Sequence, residues 1–400
     1  MRESEIRELG FDPERLSLLT AKLQKWVDRG TIPGAVVAVG RRDKLAMLSA
    51  VGFRDREERA EMAPNTIFRV ASLTKPIISL AAMVLVEEGR LRLSDPVSLY
   101  FPALAGLKVC VEHDAGKFEL VPAWREPVVL DLLRHTSGFT HDYYGSRRVK
   151  LMYREAGLRS ATNAADFISR LAKLPLQAQP GTEWSYSFST DILGHVIEQI
   201  AGQSLDKFVA ATITEPLGMK DTGFVVPPGD LGRLAQPQTD PKTGQRPQMI
   251  DPTVAPGRFN GGSGMVSTCV DYALFCQFWL NNGALNGKRL ISRKTVELMT
   301  ADHLPPEVRI DADVLAQFGL VAPGPTFGYG FGLGFAVRTH TGRSPLYGSM
   351  GDYWWMGLSG CTFMVDPAEQ LYAILLAQAP ERLPANLMLL RGAVYQALVD

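Results

Sequence analysis

Arg69-Val70-Ala71-Ser72-Leu73-Thr74-Lys75-Pro76 runs directly into an apolar stretch, residues 77–86, in which Ser79 is the one polar residue. Proline has no N–H to donate and is tolerated in a helix only in the first turn, so the helix is expected to start at or near Ser72. The apolar run carries it to Gly89, a residue suited to the left-handed position that ends helices. A helix apolar nearly all round belongs inside the protein. Ser72 and Lys75 stand three apart and therefore share one helix face. A hydroxyl and an ammonium at the positive end of a buried helix, where a developing oxyanion is favoured, read as a nucleophile site. The same spacing recurs at Ser204-Leu205-Asp206-Lys207, but there Gly202 precedes an amphipathic segment, and Ser204 reads as an N-cap on a surface helix.

The 400 residues exceed the usual ceiling for one simple core, so two intimately packed lobes or one large α/β unit are expected. Lysine plus arginine and aspartate plus glutamate number 42 each. That balance recommends neither nucleic acid nor an anionic membrane as partner. Cys110, Cys269, Cys276 and Cys361 are widely spaced, without a C-x-x-C pair, and suggest small buried hydrophobes rather than a zinc site or disulfide framework. The N-terminus is charged and leads into an amphipathic helix with no apolar signal core, and no stretch has the length of a membrane span. The expectation is a soluble cytoplasmic chain.

Asp12-Pro13 is an N-cap and N1 pair, followed by one apolar face, Leu16, Leu19, Leu23, Trp26 and Val27, up to Gly30. Residues 35–39 and 45–51 read as strands of a hairpin around Arg41-Arg42-Asp43. From residue 94 to about 254 short helical patterns (129–134, 164–174, 191–200, 205–213) alternate with turn signals, and strand signals are scarce. Residues 225–258 carry seven prolines and suggest a long surface loop. The last third returns to helix (271–280, 292–299) and strand (330–338, 361–365, 371–377), with a closing helix at 385–398. Two units are expected: an α/β one from residues 1–93 and 255–400, and a mostly helical insertion, 94–254.

Two further stretches carry chemistry. Tyr186 sits in the hydroxyl-rich loop Ser185-Tyr186-Ser187-Phe188-Ser189. Taken alone it reads as a partly buried tyrosine with a satisfied hydroxyl; as a base it would need a nearby cation such as Lys75 to favour phenolate. Gly351-Asp352-Tyr353-Trp354-Trp355-Met356-Gly357-Leu358-Ser359-Gly360 combines small residues, which let a backbone approach a substrate, with a strand edge that can offer an N–H to an oxyanion. Its plain alternative is a glycine-rich turn beside two core tryptophans.

Together with Leu132-Leu133-Arg134-His135-Thr136-Ser137-Gly138, Pro216-Leu217-Gly218-Met219 and Gly261-Gly262-Ser263-Gly264-Met265, these stretches resemble the serine β-lactamase and penicillin-binding-protein superfamily over residues 12–398. Within it the chain is most similar to family VIII carboxylesterases, the branch near class C β-lactamases that includes esterases and acyltransferases. The resemblance implies a serine β-lactamase-like α/β (α+β) fold, a mainly antiparallel sheet flanked by helices with an inserted helical part. It implies Ser72 as nucleophile, Lys75 and Tyr186 as its base system, and an oxyanion hole from the N–H groups of Ser72 and the residue after the third motif. His340-Thr341-Gly342 and Trp355-Met356-Gly357 both imitate that motif. The family places it on a strand about ten residues before an Asp-Pro turn, here Asp366-Pro367, which favours Trp355-Met356-Gly357 and makes Leu358 the second donor.

Phe188 stands where the β-lactamases carry an amide-holding asparagine, and Trp355 replaces the cation that meets a β-lactam carboxylate. A site without both polar handles gives up strongly discriminating interactions. Tyr143, Tyr144, Trp184, Phe188, Trp354, Trp355 and Met356 suggest an apolar acyl or aryl pocket, with Met356 narrowing it. His135 is expected to fix a loop, with a smaller chance of touching substrate; His195 falls within a helix. The chain lacks a G-x-S-x-G elbow. The reading is a serine hydrolase of small or medium acyl or aryl esters, needing no metal or organic cofactor, with a small-molecule ester as partner and acyl transfer as a side activity. Its rivals are an amide hydrolase (β-lactamase, D-aminopeptidase or amidase) using the same serine, and a catalytically silent binding protein.

Overall fold

The computed structural model describes residues 2–113, 117–319 and 322–400. Asp12 accepts hydrogen bonds from the N–H groups of Glu14 and Arg15 and starts α1 (Pro13–Asp28), which ends beside the left-handed Gly30. The hairpin that follows is β1 (Gly34–Arg41) and β2 (Lys44–Asp55), turning through left-handed Arg42 and Asp43, with β3 (Ala60–Glu61) added at the edge. The Ser72 helix is α2 (Thr74–Glu87); it is entered through a 3₁₀ turn, Ala71–Leu73, so Ser72 lies just before the α-helix rather than in it. Gly89 then takes a left-handed φ of 70°. Further on come α3 (Ser189–Ala201) and α4 (Cys269–Leu280).

The chain returns to the sheet as β4 (Tyr329–Phe331), β5 (Ala336–Arg338), β6 (Tyr353–Gly357), β7 (Cys361–Asp366) and β8 (Leu371–Ala377), and α5 (Leu383–Tyr395) follows. The eight strands form one antiparallel sheet in the order β4-β5-β6-β7-β8-β1-β2-β3. Chain start and chain end meet at its centre, where Ala35 pairs with Ala377 and Val39 with Ala373. Successive side chains of a strand point to opposite faces, and every residue of β1 and β8 is buried, so both faces are covered. The cover is helical: α1 and α5 pack together and on the sheet, and α4 packs on β1, β7 and β8. This is the mixed α/β architecture that the resemblance implies.

Residues 94–254 hold the short helices, among them Val129–Leu133, which packs on α3, while α3 packs on α2. Three local expectations change. A β-hairpin, Lys108–Glu112 with Phe118–Pro122, lies in the segment expected to be mostly helical, where strand signals are scarce; its five-residue arms are too short and too charged to show a clear alternation. The stretch 330–338 is not one strand but the hairpin β4–β5, broken where Gly334 adopts φ 107°. The helix expected over 205–213 is Leu205–Val209 passing into a π-helical turn, Ala210–Thr214. Ser204 has the extended backbone of an N-cap, but the Glu198 carboxylate, not its hydroxyl, takes the Leu205 N–H. All four cysteines are free and buried. Among the described residues no helix is long and apolar enough to cross a membrane.

Candidate active site

Ser72 is presented on a strained turn. Ala71, immediately before it, has φ 47°, a left-handed conformation that costs a side-chain-bearing residue about 1 kcal/mol or more. Neighbouring segments hold the turn in place. The strand Ile67–Arg69 pairs antiparallel with Val266–Thr268, and Val70 N–H donates to the Met265 carbonyl. Met265 N–H in turn donates to Thr74 Oγ1. That pairing brings the Gly262 carbonyl to Lys75, whose Nζ donates to it at 2.7 Å and to Ser72 Oγ at 3.4 Å. Lys75 is almost completely buried, so these contacts stand in for its lost hydration.

Tyr186 is brought in by a hydroxyl zipper. Ser185 N–H donates to the His135 carbonyl, Ser187 Oγ bonds His135 Nδ1 at 3.1 Å, and Ser189 Oγ bonds Ser137 Oγ at 2.7 Å. The Lys75 ammonium lies over the Tyr186 ring, 4.5 Å from its centroid, and Trp355 Nε1 donates to the Tyr186 hydroxyl at 3.4 Å. Among the described residues no hydrogen bond joins that hydroxyl to Lys75 or Ser72. The expected base system is therefore assembled as neighbours, with the ammonium on the ring's face. Contacts of this kind commonly shorten around a reacting substrate.

The end of β6 packs on the turn that carries Ser72. A Cβ on Gly357 would lie 2.3 Å from the Val70 carbonyl oxygen and 3.3 Å from Ser72 N, so only glycine fits there. Leu358 follows at the strand's end, and among the described residues neither its N–H nor that of Ser72 donates to a side chain or to a loop carbonyl. Two unclaimed N–H groups on facing segments suit an oxyanion.

These elements border a cleft of about 800 Å³, within the range of small-molecule sites. Ser72, Lys75, Tyr143, Tyr144, Tyr186, Phe188, Met356 and Leu358 line it. Trp355, Gly357 and His135 do not, and neither do Trp184 and Trp354; this corrects their expected place at the substrate. Trp355 is fully buried behind Tyr186, where its indole N–H finds the phenol oxygen. His135 is packed against Trp184, Tyr186 and Phe331. Burial, assisted by the Lys75 charge, pushes its imidazole well below the ordinary histidine range, so it stays neutral.

Other lining residues were not legible in advance. Residues 247–250 of the proline-rich segment wall the cleft instead of lying over distant surface, pinned by Arg69, which donates to the Ala235 and Ile250 carbonyls. Phe318, Asp191, Asn260 and Arg159 also face it. So does His141, stacked on Phe188 with ring centroids 4.2 Å apart and planes within 8°. The one sequence signal was proximity: His141 and Asp142 directly precede the Tyr143-Tyr144 pair. Burial holds the Tyr144 hydroxyl far above its usual pKa, and so keeps it a neutral hydrogen-bonding group.

Residues 19–394 match the Beta-lactamase family, nearly the whole chain. The protein belongs to that family. It is 34% identical to Protein Rv1367c from Mycobacterium tuberculosis, over 90% of this chain and 88% of that one. It is 30% identical to esterase EstB from Burkholderia gladioli, over 96% and 98% of the two chains. Among solved structures it resembles EstCE1, a hydrolase with promiscuous acyltransferase activity, at TM-score 0.75 and 25% identity, covering 96% of this chain and 99% of that one. It is thus an enzyme of the β-lactamase and esterase superfamily.

Proposed function

We propose that the protein is a family VIII-type carboxylesterase that cleaves esters of small or medium acyl chains, or aryl esters, through an acyl-enzyme on Ser72. The observation that carries this reading is the Ser72 hydroxyl on its left-handed turn, 3.4 Å from a buried Lys75 and opening on an aromatic cleft. Ser72 Oγ attacks the ester carbonyl while its proton passes to the Tyr186–Lys75 pair and on to the leaving alcohol. The N–H groups of Ser72 and Leu358 receive the oxyanion. Water then releases the acid, or a second alcohol takes the acyl group. The cleft's apolar wall of Phe188, Tyr144, Phe318 and Met356 supports esters over β-lactams, as does Trp355 in the third motif's place for the β-lactamases' cation.

The test is intact mass after brief mixing with p-nitrophenyl butyrate, beside steady-state turnover, for wild type and Ser72→Ala. The expected outcome is loss of at least about a thousandfold in turnover in the variant, with phosphonate labelling confined to Ser72. Nitrocefin and a D-alanyl anilide, run in parallel, are expected to give far lower kcat/KM. Undiminished turnover by Ser72→Ala would remove the mechanism, and preference for the anilide would move the protein to the amide hydrolases.

A further inference from the structure

The cleft contains a second acid–base assembly that the acylation chemistry does not use. His141 lines the same cavity as Ser72, and its Nδ1 lies 2.5 Å from Asp142 Oδ1. An ionised carboxylate only accepts hydrogen bonds, so this contact places the imidazole proton on Nδ1 and leaves Nε2 unprotonated, as an acceptor. The ring cannot swing: Phe188 stacks on it at 4.2 Å, and Tyr143 at 4.6 Å with planes 25° apart. Asp142 is held in turn by Arg159, through Nε at 2.8 Å and Nη2 at 3.2 Å. Arg159 Nη2 is nearly equidistant from the two ring nitrogens, 3.4 Å from Nδ1 and 3.2 Å from Nε2. It therefore approaches between them, out of line with the Nε2 lone pair. A carboxylate, an imidazole in one tautomer and an unprotonated Nε2 in a substrate-sized cleft form an oriented base.

Resting on the Ser72 acyl-enzyme reading, we propose that His141 is the base of the second half-reaction, accepting at Nε2 the proton of the water or alcohol that attacks the acyl-enzyme, with Asp142 as its positioning residue. The incoming oxygen forms the new C–O bond, and its proton moves to Nε2. The carbonyl electron pair moves onto the oxyanion and returns as the C–Oγ bond breaks; the proton then passes to Ser72 Oγ.

The protonation state fits the task. Burial first, aided by the charges of Arg159 and Lys75 and opposed by Asp142, lowers the His141 pKa below the ordinary 6.5. Tyr143, Tyr144 and the neutral His135 complete its polar surroundings. Neutral His141 accepts protons at pH 7, and deacylation slows as pH falls through its lowered pKa.

The experiment compares rapid-mixing kinetics and intact mass for wild type, His141→Gln and Asp142→Asn with p-nitrophenyl butyrate, after thermal melts confirm folding. The His141→Gln protein is expected to retain a p-nitrophenol burst but to deacylate about 100-fold more slowly. A butyryl mass should accumulate on Ser72, with KM falling alongside kcat. Asp142→Asn should show the same pattern at about tenfold, with its pH dependence displaced to lower pH because the carboxylate that opposes the lowering of the His141 pKa is gone. Equal losses in burst and turnover, or deacylation within threefold of wild type in both variants, would overturn the assignment. The esterase reading is judged separately, by whether wild-type turnover vanishes in Ser72→Ala; if it survives there, both readings fall.

Discussion

Gly357→Ala tests whether the contact between β6 and the Ser72 turn sets the rate. The added Cβ would sit 2.3 Å from the Val70 carbonyl oxygen, where ordinary contact begins at 3.4 Å. Strand and turn must therefore separate by 3.4 − 2.3 = 1.1 Å. The obstacle is backbone, so no flexible side-chain end can yield. The same Cβ stands 3.3 Å from Ser72 N, so the displacement falls between the two N–H groups assigned to the oxyanion. Oxyanion donors act at about 2.7–3.1 Å, and a shift of about 1 Å near reacting atoms can cost about 100-fold. The expected loss in kcat/KM is thus about 100-fold, equivalent to about 2.7 kcal/mol of transition-state stabilisation. Overpacking itself costs about 1–3 kcal/mol of stability, so the protein stays folded with a melting temperature lower by a few degrees. Steady-state hydrolysis of p-nitrophenyl butyrate beside a thermal melt separates the two effects. Activity within threefold of wild type would refute the reasoning, because it would show that the donors do not depend on this spacing. A collapse in stability matching the loss in rate would show that the glycine serves the fold alone.

Trp355→Phe keeps the ring packed beside Tyr186 but removes the Nε1 donor to its hydroxyl; kcat should fall about tenfold with KM nearly unchanged, read by the same ester assay. Asp131, fully buried beneath the His135 turn, accepts from Arg125, Arg134, Thr136 Oγ1 and the Val128 N–H. Burial raises its pKa, but the Arg125 hydrogen bond and its other partners outweigh that and leave it lowered. A carboxyl depressed in the folded state stabilises above its unfolded pKa of about 3.9, and this contribution fades as pH falls through the folded value. Asp131→Asn should therefore cost about 3 kcal/mol at pH 7, with the gap to wild type narrowing below about pH 4 in denaturant melts. A gap that stays constant with pH would mean that the carboxylate's charge contributes nothing.

How much of this molecule was legible in its sequence depends on the range of the interaction. Asp12-Pro13, Pro76 and Gly89 mark helix ends because capping, a missing N–H and a left-handed φ are local constraints. The strands β1, β2, β7 and β8 announce themselves as short β-branched and apolar runs between turn residues. The hairpin β4–β5 reads as one strand for the same reason: residues 330–337 are all apolar or glycine, and a uniform pattern does not locate a turn. Ser72 and Lys75 stand out by their spacing, whereas Tyr186, which alone reads as a partly buried tyrosine, joins them as a set through the resemblance that the surrounding motifs carry.

Tertiary structure decided what those groups face. Ser72, Tyr186 and Met356 lie more than a hundred residues apart in the chain, and side-chain direction in loops has no periodicity to read. Trp355 turned its indole to Tyr186 rather than to the cleft because a buried N–H needs an acceptor, and the phenol oxygen was within reach. Residues 247–250 became a wall because Arg69, itself half-buried near Ser72, satisfies its guanidinium on the Ile250 and Ala235 carbonyls. His141 entered the site because Phe188 offers a flat face, which its ring meets only once the loop carrying His141 packs against the start of α3. Sequence thus determined which chemical groups the protein owns and the elements that carry them. Which nitrogen, oxygen or ring meets which was left to the close packing of distant segments, where each buried polar atom must find a partner.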